Sequence, residues 1–257
     1  MITRRSWAIA GTSMRLLLSD PAPIIVTTVM PLVLAPFLIP AAAAQLQASG
    51  YATSNGSEQI VPGLAVLFAF LSVQLIGTLF FREHVWGTWD RLRVSSATTA
   101  DIVLGKVMPL FVVQLGQLAL LLVIGTVLFS YRVTGSPFAL ALVLASFAAM
   151  LVTYGVMLVA VFRSMDLALV VGNLGGMLMA GVGGAFAPVS SLPQWAQAVA
   201  PFSPAYWAID AMRQVTLNHA DLSQIAPSLG VMTLFSVGFS AIVAWRFRVA
   251  TTKVGTS

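Results

Sequence analysis

The densest gathering of reactive side chains is FFREHVWGTWDRLR, residues 80 to 93. It carries Arg82, Glu83, His84, Asp90, Arg91 and Arg93 beside Trp86 and Trp89, in a chain only 8% charged. These types at this density suit ion pairing and aromatic anchoring. Enzyme chemistry has little support elsewhere. No histidine–carboxylate constellation stands out, since His84 and His219 lie far apart. There are no cysteines, which removes disulfides, thiolate catalysis and thiolate metal sites. No phosphate-cradling loop of the GxxxxGK[ST] type occurs, so the chain does not hydrolyse a nucleotide by that route. No metal site is expected.

The elements around this segment are apolar. A soluble domain carries about 25% charged residues, whereas 58% of these 257 residues are hydrophobic. That composition belongs to a membrane protein and offers no basic face for nucleic acid. A span needs about 20 mainly apolar residues. Six stretches qualify: Ile24 to Ala44, Pro62 to Phe81, Val107 to Phe129, Pro137 to Phe162, Ala168 to Ala187 and Ala226 to Trp245. None contains Asp, Glu, Lys, Arg or His, and no intramembrane acid suggests an ion-coupled carrier. The expected fold is an all-α membrane protein, one domain over residues 1–257.

Residues 1–21 read as an amphipathic segment lying in the interface. Trp7, Ile9, Ala10, Met14, Leu17 and Leu18 share a face, with Arg4, Arg15 and Ser13 elsewhere. Asp20-Pro21 ends it. Eleven of the thirteen Lys and Arg residues fall at the termini, in 82–106 or at Arg163; only Arg132 and Arg213 lie in the other connections. This bias places both termini and residues 82–106 in the cytoplasm of a multi-pass cell-membrane protein. Asn55-Gly-Ser on the opposite side reads as a turn.

Within 82–106, Val85, Trp89 and Leu92 share a helical face and Glu83, Asp90 and Arg91 lie off it. The pattern predicts a short cytoplasmic helix continuing from the second span. Thr98 and Asp101 are placed to form a capping box for the next helix. A solvated loop that sets topology would account for the arginines. A docking surface accounts for the acids and tryptophans as well. Residues 188–225 read as two short helices in the outer leaflet, started by Ser191-Leu192-Pro193 and Ser203-Pro204. Trp195, Phe202, Tyr206 and Trp207 suit the interface there.

Gly172, Gly176, Ala180 and Gly184 recur every four residues and form a small-residue packing face, for this chain or a second copy. Gln74, Gln114, Gln117, Tyr154 and Asn173 are the notable polar groups inside the spans. They either hydrogen-bond between helices or line a substrate path.

These features together resemble the permease subunits of type-2 ABC exporters over nearly the whole chain. REHVWGTWDRLRVSSATTADIVLGK looks like the family's cytoplasmic coupling segment, with Glu83, Gly87, Thr88, Asp90, Leu92, Gly105 and Lys106 at matching positions; Trp89 and Asp90 stand where a smaller residue and Glu are common. LPQWAQAVAPFSPAYWAIDAMR looks like its outer segment, with Leu192, Pro193, Trp195, Pro201, Pro204, Tyr206, Asp210 and Arg213. The resemblance implies a homo- or heterodimer of permeases with two cytosolic ATPase subunits that bind the ATP and Mg, this chain binding no cofactor itself. Glu83, His84, Trp86, Gly87, Thr88, Trp89, Asp90 and Arg91 would then be the ATPase-coupling residues. Apolar spans favour drug-like or lipidic cargo over the polysaccharides other branches export. A membrane-embedded enzyme or a structural membrane protein is the reading from another class.

Overall fold

The computed structural model describes residues 4–85, 99–162 and 164–253. Among these there are helices and no strands. Helix α1 spans Arg4–Ser19, α2 Ala22–Ala48, α3 Ser57–Leu71, α4 Gln74–Val85 and α5 Thr99–Phe129. They are followed by α6 at Pro137–Val161, α7 at Met165–Val182, α8 at Gln194–Val199, α9 at Pro204–Leu217 and α10 at Leu222–Lys253. Six helical stretches are long and apolar enough to cross a membrane: Ala22–Ala48, Ser57–Phe80, Val103–Phe129, Pro137–Val161, Met165–Val182 and Leu222–Arg246. The protein is a multi-pass membrane protein with short helices between its last two spans.

Local sequence sets several boundaries. Asp20 and Pro21 separate α1 from α2. Ser136, Ser164 and Ser203 cap α6, α7 and α9 by accepting from backbone N–H groups of the first turn, which satisfies donors that a helix start leaves open. The residue pair Ser136-Pro137 adds proline at the first helical position, where no N–H is needed.

The second span is the most enclosed of the six, 89% of its most apolar 18-residue stretch being buried. Its first helix, α3, packs against α2, α5, α7 and α9; α6 packs against α10, α5 and α4. The span begins at Ser57 rather than Pro62, so Glu58 enters the first turn. Glu58 is buried and its Oε2 accepts from Ser54 Oγ at 2.8 Å. An acid is therefore enclosed at the start of a span whose helix begins five residues before the hydropathy pattern does. The pattern was misleading because Pro62 costs the helix a single hydrogen bond near its start without ending it.

At α1 the buried line is Ser6, Ala10, Ser13 and Leu17, whereas Trp7 and Leu18 are exposed. The apolar face expected for an interfacial helix thus divides, Ala10 and Leu17 packing inward while Trp7 and Leu18 stay exposed, and Ser13, placed off that face, is buried. Close contact with α5 selects small residues instead: a Cβ on Gly105 would lie 2.7 Å from Ile9. The outer connection has its two helices, α8 and α9, but Ser191 does not cap the first. Pro193 occupies that position without a side-chain bond, and Ser191 Oγ donates to the Pro188 carbonyl.

The small-residue face is internal. Gly172, Gly176 and Ala180 are buried in this chain, with Gly172 against Leu158 and Gly176 against Phe70. Gly184 is not on the helix. The fifth span ends at Val182, five residues short of its expected end, and Gly184 turns the chain with φ +96°. Glycine adopts that conformation without Cβ strain. Here the chain crosses α3 so closely that a Cβ on Gly63 would fall on the Ala185 carbonyl.

Candidate functional site

The two halves of the second span, α3 and α4, are separated by a turn at Ser72 and Val73. A broken helix in a membrane must find partners for its freed backbone groups. Gln114 of α5 supplies one, its Nε2 donating to the Ala69 carbonyl at 3.2 Å, while Gln117 Oε1 accepts from the Ser72 side-chain hydroxyl at 2.8 Å. Gln117 Nε2 reaches on to the Thr27 carbonyl of α2 at 3.3 Å. Both glutamines are buried. Tyr154 stands in an aromatic cluster, edge-on to Phe70 at 5.9 Å and tilted against Phe239 at 5.5 Å.

Gln74 and Asn173 line one narrow crevice between α4, α6 and α7, with Gly77, Gly155 and Gly172 along its walls. The Asn173 Oδ1 is buried and lacks a hydrogen-bond partner. Gln74 also borders a larger cavity of about 320 Å³ between the α1–α2 corner, α4 and the start of α7. Leu16, Leu17, Leu75 and Leu79 give it apolar walls, while Asp20, Gln74 and Thr78 supply polar groups. So Gln74 and Asn173 share a crevice, and Gln114 and Gln117 sit apart from it at the helix break. Asp20 and Thr78 escaped the sequence reading because one reads as a helix breaker and the other as an isolated hydroxyl.

The charged segment is reached through α4 and α5. Its residues Trp86, Gly87, Thr88, Trp89, Asp90 and Arg91 lie outside the described residues, as does Thr98; Glu83 and His84 belong to the last turn of α4. The two helices are held together where they flank it. Lys106 is fully buried, with Nζ 4.6 Å above the Phe80 ring, a cation–π contact strengthened by desolvation. Asp101 Oδ1 accepts from Ser6 Oγ at 2.9 Å, so this carboxylate also fastens α1 to α5.

The opposite end of the bundle is tied by polar contacts among the connections. Gly135 N donates to the Val215 carbonyl at 2.9 Å, Asn55 Nδ2 to Phe129 O at 3.1 Å, and Tyr51 Oη to Asn218 Oδ1 at 3.2 Å. Burial pushes the Tyr131 phenol above its ordinary value. Beside this network, α9 borders a second cavity with Tyr206, Asp210 and Arg213. Among the described residues, no group of three His, Asp or Glu side chains could hold a metal ion.

The family model of the ABC-2 type transporter matches residues 5–217. The linearmycin resistance permease protein LnrN of Bacillus subtilis is 28% identical over 174 residues, covering 68% of this chain and 45% of that protein. The probable multidrug ABC transporter permease YbhR of Escherichia coli is 27% identical over 201 residues, 74% of this chain and 52% of its own length. The chain thus spans about half the length of these curated relatives. No solved structure matches it. With six spans, a broken second span and a family match covering most of its length, the chain belongs to the ABC-2 type transporter family.

Proposed function

We propose that this chain is a permease subunit of an ATP-driven exporter for drug-like or lipidic molecules. The family match over residues 5–217 carries this reading. The names of the two relatives, a resistance permease and a probable multidrug permease, support the substrate class. So does the cavity of about 320 Å³, whose leucine walls and few polar groups suit an amphiphile. Gln74 and Asn173 are the path residues this reading favours. Gln114, Gln117 and Tyr154 shape that path by holding the helices around it.

ATP and Mg are bound by a separate cytosolic ATPase, two copies of which serve two permease chains. The segment at 82–106 faces the cytoplasm with both termini. Glu83, His84, Trp86, Gly87, Thr88, Trp89, Asp90 and Arg91 dock in the ATPase, the tryptophans as buried anchors and the charges as register. The clamp of Lys106 on Phe80 supports transmission, because motion at the segment would pass into both α4 and α5.

The test is affinity purification of the tagged chain from its native host. The reading expects a cytosolic subunit with a phosphate-binding loop in the eluate, and ATP hydrolysis stimulated by an amphiphilic drug. An eluate without any ATPase activity, from cells expressing the intact chain, contradicts it.

A further inference from the structure

Helix α9 places Tyr206, Ile209, Asp210 and Arg213 on one face, and that face borders an open cavity of about 240 Å³ lined also by Gly183, Gly184, Val189 and Ser190. A water occupies about 30 Å³ of liquid, so the space suits a small polar group. The two opposite charges in its wall are not spent on each other. Asp210 Oδ2 accepts from Gln214 Nε2. Arg213 Nε is buried and has no hydrogen-bond partner. A guanidinium has five N–H donors and no acceptor, and a buried donor left unmatched is costly. Gly184 O in the wall accepts from Gln59 Nε2. Burial, then the Asp210 charge, raises the Tyr206 phenol above its ordinary value, so its hydroxyl remains a donor.

The cavity lies by the short helices of the bundle end opposite the termini. Trp195 and Phe202, in the chain between its Ser190 and Tyr206, are exposed at 66% and 79%, as aromatic side chains at a membrane–water interface are. We propose that this cavity binds a phosphate ester bearing a primary ammonium, with the phosphate on Arg213 and Tyr206 and the ammonium on Asp210. A guanidinium matches phosphate oxygens in a bidentate fork, and a carboxylate beside it selects an ammonium that can donate. Phosphatidylethanolamine presents this pair at a bilayer surface; free phosphoethanolamine presents it from water. The site is independent of whether the chain exports anything.

The experiment uses the full chain in nanodiscs and reads the shift in Tm. Phosphatidylethanolamine mixed into phosphatidylcholine should raise the Tm of the wild type by roughly 3 °C or more over phosphatidylcholine alone. Soluble phosphoethanolamine is added in a second arm to phosphatidylcholine discs. A response in the lipid arm alone assigns the headgroup, and a response in both, or in the soluble arm alone, assigns the free ester as a ligand; each supports the site. Arg213→Gln should lose the shift, with apparent affinity down about tenfold. Asp210→Asn keeps an acceptor for Gln214 but should respond no more to phosphatidylethanolamine than to phosphatidylglycerol. Arg132→Gln, an exposed cation at the same end, should leave the shift intact. If Arg213→Gln does not fold, Ser190→Trp, which fills the rim with both charges retained, should abolish the shift. No shift in either arm for the wild type, or an undiminished shift in the Arg213, Asp210 and Ser190 variants, overturns the proposal.

Discussion

The Ser72 hydroxyl donates to Gln117 Oε1 at 2.8 Å across the turn that divides the second span. The same glutamine reaches the Thr27 carbonyl of the first span, so a single side chain joins three helices where one of them is interrupted. Interhelical hydrogen bonds in membranes average about 0.6 kcal/mol each. Gln117→Leu should therefore lower stability by about 1 kcal/mol, since two such bonds are lost and the single Ser72 O–H can turn to the Phe68 carbonyl, also within reach. Unfolding of the purified chain in mixed micelles measures this. An unchanged midpoint would mean that the turn is held by packing alone.

Gly176 makes a sharper demand. A Cβ there would lie 2.7 Å from the Phe70 Cβ in the most buried span. Gly176→Leu should destabilise the fold by about 1–3 kcal/mol, the usual range for overpacking, and reduce the yield of folded protein. Gly181, where a Cβ would meet nothing within 4 Å, is the control: Gly181→Leu should be tolerated. Equal yields of the two variants would contradict the internal packing of the stripe.

The long apolar spans were legible because hydropathy integrates over about twenty residues and charges are nearly absent from them. The cap at Ser203 was legible because Ser-Pro is a local signal. What escaped depends on contacts between distant segments. The break at Ser72 lies between two apolar runs, and the glutamines that bond there do so across 45 residues of sequence. Gly184 continues the four-residue spacing in sequence yet leaves the helix, because the chain must turn there past Gly63. Asp210 and Arg213 were legible as a motif, but the cavity between α9 and the 183–190 segment was not, since only folding brings its walls together.

Topology has its own test. The orientation proposed from the charge bias has residues 82–106 inside the cell, and the chain has no cysteine of its own. A cysteine replacing Ser96 should resist an impermeant thiol reagent in intact cells. Thr53→Cys should react. Thr53 is exposed, whereas its neighbour Ser54 is buried against Glu58 and is the wrong position for such a probe. The reverse pattern of labelling would overturn the orientation.

Coupling is tested in the charged segment itself. Trp89→Ala and Glu83→Ala leave the Lys and Arg count unchanged, so insertion should be normal. Each should weaken the ATPase association by roughly 30-fold, the effect of losing about 2 kcal/mol at an interface hot spot, measured as ATPase retained on the tagged permease. Wild-type retention and substrate-stimulated turnover in both variants would make 82–93 a solvated loop that sets topology and nothing more.

The most direct measurement is transport. Inverted vesicles holding the permease and its ATPase should accumulate a fluorescent amphiphilic drug when given ATP and Mg. Accumulation should stop with a non-hydrolysable ATP analogue and persist when the proton gradient is collapsed. Accumulation that follows the proton gradient and ignores ATP, or none for any drug or lipid tried with an active ATPase bound, would contradict the account.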